Sequence, residues 1–115
     1  MEGPVPSVWR PTLDAIVLRL VHGDYSLKSA ISGVAPVSDE TSREIKGNIG
    51  AYGATLVPLR AETWDSSVSI WQGDYWQVLV DLVTEEEGLS DLVLSAKIEE
   101  VAGGYQFEVY LVYVP

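Results

Sequence analysis

From residue 76 onward the chain alternates apolar and polar side chains with a period of two, and every break in the pattern is only a few residues long. The runs at 76–84, 90–100 and 105–114, with a shorter one at 68–72, therefore read as strands. Turn signals fall at Gly73-Asp74, at Glu86-Glu87-Gly88 and at Gly103-Gly104. A parallel crossover needs a dozen or more residues, so these strands are expected to form an antiparallel meander. "ATLVPL" precedes them as a short strand, and Pro58 predicts that it is broken or lies on an edge.

The first half has a different period. In "RPTLDAIVLRLVHGD" Leu13, Ile16, Val17, Leu20 and Val21 share one helical face. Pro11 suits the first turn and Gly23 the end of that helix. "SDETSREIKGNIGAYG" predicts a second helix, capped by Ser38 or Asp39 and ended by Gly53. Its stripe is only Ile45, Ile49 and Tyr52, and Gly47 and Gly50 each cost about 1 kcal/mol against alanine. Residues 24–37 read as a connection. The expected architecture is a single α+β domain over residues 1–115. Two N-terminal helices pack on one face of a four- to five-stranded antiparallel β-meander.

Residues directly opposite in a sheet share a face, which predicts the register. Trp76, Val78, Val80 and Leu82 form one apolar set, so pairing Ile70 with Val78 and Val68 with Val80 keeps apolar side chains together. That choice makes Gly73-Asp74-Tyr75 a three-residue loop; a two-residue Gly-Asp turn would set Ile70 against Gln77. Leu92, Leu94, Ala96 and Ile98 are expected to face inward, as are Phe107, Val109 and Leu111. Val80 then pairs with Leu94, and Leu94 with Leu111. The expected core is Leu13, Ile16, Val17, Leu20, Trp76, Val78, Val80, Leu94, Phe107, Val109 and Leu111. The outer rows read Trp71, Gln77, Lys97, Glu108 and Ser69, Leu79, Ser95, Tyr110. Trp71, Leu79 and Tyr110 would form an apolar strip on that polar face, either open for binding or buried under residues 53–66 with Trp64.

Charge limits the partners. The formal net charge is −10. Residues 1–37 balance Glu2, Asp14 and Asp24 against Arg10, Arg19 and Lys28, so fourteen acids face four bases in the remainder. Such a field repels nucleic acid and anionic membrane and attracts basic partners; it also serves solubility. The chain has no cysteine. Neither a basic leader followed by an apolar run nor a bilayer-length apolar stretch is present, which predicts a soluble cytoplasmic protein.

Catalytic chemistry is thinly represented. His22 is the one histidine, placed to meet the last carbonyls of the first helix. "GNIGAYG" lies at a helix end, where phosphate cradling does not occur. "TEEEGLSD" lacks the alternating ligands of a calcium loop and reads as a solvated tip. Asp81 and Glu100 are the only carboxylates worth testing as an acid–base pair. No catalytic residue, metal ligand or cofactor is assigned.

The stretches "VWRPTLDAIVLRLVHGDYSL", "YWQVLVDLVTEEEGLSDLVLSAKI" and "GGYQFEVYLVYVP" resemble a family of small uncharacterised bacterial proteins of unknown function. That resemblance implies no activity and no site residue. In size, acidity and layout the chain is similar in type to bacterial immunity proteins, which neutralise cationic toxins. The expected function is thus a non-enzymatic, acidic protein-binding module, an inhibitor or immunity-type protein for a basic partner. Trp71, Tyr75 and Tyr110 would grip, and Asp74, Asp81 and Glu108 would steer. The alternatives are a small-ligand or catalytic domain with a pocket between helices and sheet, and a homo-oligomeric structural module. The chain would be a monomer or a homodimer.

Overall fold

The computed structural model describes residues 2–115. Strand β1 is Glu2–Pro4, and a 3-10 turn at Ser7–Trp9 leads into helix α1, Arg10–Val21. Helix α2 is Asp39–Tyr52, strand β2 Leu56–Val57, and the single-turn helix α3 Thr63–Ser66. Strands β3 (Val68–Trp71), β4 (Trp76–Thr84), β5 (Gly88–Val101) and β6 (Gly104–Tyr113) complete the described chain.

Local chemistry explains the helix ends. Helix α1 stops at Gly23, whose φ of 82° is left-handed, while Asp24 N–H returns to Arg19 O at 2.9 Å. Asp24 then accepts the N–H groups of Lys28 and Ser29 at 3.0 Å each, which holds its carboxyl below the usual range. Ser38 caps α2 by accepting Thr41 N–H at 3.2 Å, and Gly53 ends it at φ 79°.

The sheet is antiparallel, in the order β1-β3-β4-β5-β6, with β2 paired to the far end of β4. Helices and sheet share one apolar cluster. Leu13, Ile16, Val17 and Leu20 of α1 and Ile45 and Ile49 of α2 join Val78, Val80, Leu82, Leu92, Leu94, Ala96, Ile98, Phe107, Val109 and Val112. Both β2 and β3 lie on one side of β4 and leave a gap between Leu79 and Val83. Ser67, just after α3, fills it by accepting Asp81 N–H through its hydroxyl at 2.9 Å. At the other edge, β6 is covered by residues 33–35. Phe107 N–H donates to Gly33 O at 2.8 Å, and Ala35 N–H to Phe107 O at 2.9 Å. Covered edges of this kind discourage pairing with other chains.

Three expectations are corrected. The sheet has six strands, because β1 adds itself beside β3 and β2 also pairs. The β3–β4 connection is the two-residue Gly73-Asp74 turn, so Trp71 faces Trp76, Ile70 faces Gln77, Ser69 faces Val78 and Val68 faces Leu79. Gly73 has φ 101° and Gln72 N–H bonds to Tyr75 O at 2.9 Å, as a primed turn requires. Hydrophobic matching lost because Ser69 tolerates burial: its hydroxyl donates to Pro4 O at 3.0 Å. Third, a bulge in β6 leaves Tyr110 without a partner between Val109 and Leu111. Beyond it Leu94 pairs with Val112 and Leu111 sits opposite Ser95, so Val112 is the buried residue. The Glu85–Glu87 tip is exposed, as expected, and is also held in place. Glu86 accepts Thr55 N–H at 2.9 Å and the Thr55 hydroxyl at 3.1 Å, and Glu87 accepts the Tyr52 hydroxyl at 2.7 Å.

Candidate functional site

The pairings define two cross-strand rows on the sheet face away from α1 and α2. One is Pro4, Val68, Leu79, Ser95 and Leu111; the other is Glu2, Ile70, Gln77, Lys97 and Glu108. The first is apolar but for one serine and crosses five strands. Val68, Ile70, Leu79 and Leu111 are half-buried. Trp64 turns away, packing against the core cluster with the Arg10 guanidinium 5.3 Å over its ring.

Lys97 is central to the second row. Its ammonium lies 4.6 Å from the centre of the Tyr75 ring and 3.4 Å from Glu99 Oε1. Glu108 is directly opposite on β6. Burial pulls the Lys97 pKa down, but Glu99, Tyr110 and Glu108 outweigh it and raise the net value. Burial pushes the Tyr110 hydroxyl up; nearby Lys97 opposes this, while Tyr75, Glu108 and Glu99 add to it. The bulge leaves Tyr110 38% exposed beside this group.

Of the six residues expected to bind a partner, Tyr75, Glu108 and Tyr110 come together around Lys97. Trp71 does not. Opposite Trp76, it stands on the helix side, its ring 5.0 Å from that of Trp76. The row continues to Trp9, 5.8 Å from Trp76, and to Tyr105, 5.8 Å from Trp9. Trp71 is still 42% exposed, but at the end of the covered face. Asp74 is exposed at the turn tip. Asp81 stays on the open face opposite Val93, but its carboxylate accepts the Ser66 hydroxyl, so it serves the β4 edge. Val68, Ile70 and Leu111 belong to the surface and were not expected there. The Gly-Asp dipeptide was the signal for the first two; Leu111 depends on the bulge, which no residue type announces.

Among the described residues, no group of three or more His, Cys, Asp or Glu side chains could hold a metal ion. No helix there is long and apolar enough to cross a membrane. Asn48, Ala51, Tyr52, Tyr113 and Val114 line a groove of about 370 Å³. A second, of about 450 Å³, lies between residues 33–36 and Val101, Tyr105 and Gln106. Neither lining includes a carboxylate, a histidine or a serine. His22 is exposed just after α1, its backbone N–H bonded to Leu18 O at 3.2 Å.

No curated protein matches the chain, and no solved structure does. A family model described as a domain of unknown function, DUF7668, matches residues 17–115. That match begins within α1 and takes in α2 and every strand of the open face except β1, and the chain belongs to this family of unknown function.

Proposed function

We propose that the protein is a non-enzymatic binding module that holds a basic protein partner on the open face of its sheet, as an inhibitor or immunity-type protein would. The observation behind this reading is the apolar row Pro4, Val68, Leu79 and Leu111, beside the row that holds Glu2 and Glu108, with Tyr110 at the bulge and Tyr75 and Glu99 beyond it at Lys97. Aromatic and aliphatic anchors inside a charged rim are the usual anatomy of a protein interface. Fourteen acids against four bases after residue 37 favour a cationic partner and speed its approach. Two copies of a chain with net charge −10 repel each other, which ranks a homodimer through this face second. The absence of cysteine suits work in the cytoplasm.

The test begins with capture of the partner from the source cell, followed by association kinetics at rising salt. The association rate should fall steeply with ionic strength. Tyr110→Ala should mainly speed dissociation, since anchors act on residence time. A rate indifferent to salt would contradict the electrostatic part of the reading. A dimer in sedimentation that Leu79→Asp dissociates would replace the partner with a second copy.

A further inference from the structure

The surroundings of Lys97 are those with which proteins accept a foreign cation. An aromatic face lies under the ammonium, at 4.6 Å from Tyr75. A carboxylate flanks it at 3.4 Å, from Glu99, and Glu108 is opposite. Tyr110 stands beside them at the bulge, close enough to affect the Lys97 charge. A cation over a ring gains electrostatically from the ring's negative face, more so where water is partly excluded, and the Lys97 side chain is only 23% exposed. Two carboxylates against one ammonium leave the group negative, so it can still draw in a further cation.

We propose that Lys97 is a resident occupant of a cation-accepting site formed by Tyr75, Tyr110, Glu99 and Glu108, and that an arginine side chain of the basic partner takes its place. This rests on reading the open face as the surface for a basic protein, and it names the group that surface takes. Arginine suits the exchange. Its guanidinium is less tightly hydrated than an ammonium, lies flat on a ring and can meet a carboxylate with two parallel hydrogen bonds. The displaced Lys97 has a flexible stem and can swing to solvent, keeping its methylenes on the apolar row. The native lysine thus competes with the incoming arginine and sets a threshold against weaker cations.

The test needs no partner. The probe is the peptide acetyl-Gly-Arg-Gly-amide, with its citrulline counterpart as an uncharged control, read by NMR at the Tyr75 and Tyr110 ring protons. Lys97→Met keeps the stem and removes the competing charge. It should bind the arginine peptide roughly five- to tenfold more tightly than the wild type, the scale of one cation–ring contact with one surface ion pair. The citrulline peptide should shift neither ring, and adding Glu99→Gln or Tyr75→Ala should abolish the gain. Equal affinity of wild type and Lys97→Met, or unmoved rings in both, overturns the proposal. If Lys97→Met does not fold, Lys97→Gln carries the same comparison. A gain for the peptide without any protein partner on this face would remove the broader reading and leave the arginine site standing; a partner whose binding ignores Lys97 would do the reverse.

Discussion

The two faces of this sheet are built from alternate residues of the same strands, yet they have opposite fates. On the helix side Val78, Val80, Leu94, Ala96 and Ile98 have no exposed surface. On the other side Val68, Ile70, Leu79 and Leu111 remain half-buried and Tyr110 is open. An antiparallel sheet with one solvated face normally makes that face polar. Here Pro4, Val68, Leu79 and Leu111 make one row apolar but for Ser95, and Ile70 adds to it from the adjoining, otherwise polar row, so the open face departs from the rule in this band. Half-covered apolar area left in water forgoes about 25 cal/mol per Å², and a partner that covers the band recovers it.

Substitutions at matched positions give the largest contrast. Leu94→Ala, at the centre of the covered face, should cost about 2–5 kcal/mol of unfolding free energy in urea titration, because it leaves a cavity. Leu79→Ala on the open face should cost about 1 kcal/mol, since its side chain already meets solvent. Equal losses would mean that the faces are not distinct. A smaller effect is expected where residues 33–35 shield the β6 edge. Gly33 has φ +78°, and an added Cβ would meet Tyr105 O at 3.0 Å. Gly33→Ala should cost about 1–2 kcal/mol, the penalty of left-handed backbone, and should speed hydrogen exchange at the Phe107 amide.

The covered side also holds a removable weakness. Gly47 lies in α2 with ordinary helical backbone, and nothing stands within 4 Å of an added Cβ. Gly47→Ala should stabilise the protein by about 1 kcal/mol, read as a higher urea midpoint at unchanged slope. The smallest effect concerns pH. Thr55 N–H and the backbone N–H of Glu86 itself lower the Glu86 pKa, burial opposes them, and the Thr55 hydroxyl adds to the lowering. A depressed carboxyl stabilises the fold above its unfolded pKa, and that stabilisation fades as pH falls through the folded value. The stability gap between wild type and Glu86→Gln should therefore be present at neutral pH and close in acid, below the usual glutamate range. A gap that widens in acid would contradict these bonds.

The covered face could be read because period-two alternation in β4 and β5 is unbroken where it meets the helices. Val80 opposite Leu94 and Lys97 opposite Glu108 are both as expected. β3 could not be read from hydrophobicity alone. "VSIW" offers Val68 and Ile70 to either face, and the choice was made by Gly73, by the Ser69 hydroxyl bond to Pro4 and by the tilted contact of the Trp71 ring with Trp76. β6 misled for a different reason: "FEVYL" carries the alternation through to Leu111, and only the bulge moves Val112 inward and sets Tyr110 free. β1 is three residues long and carries no strand pattern of its own; its partner β3 makes it a strand.

If the protein holds a basic partner as proposed, the open face, and not the exposed tryptophan at the end of the covered one, should grip it. Trp71 and Tyr110 are similarly exposed, at 42% and 38%, and stand on opposite sides of the sheet, so the pair tests it directly. Equilibrium binding of the captured partner should weaken about tenfold or more with Tyr110→Ala, as for an interface anchor, and stay within about twofold of wild type with Trp71→Ala. Loss of binding with Trp71→Ala and none with Tyr110→Ala would place the grip on the helix side and contradict the account.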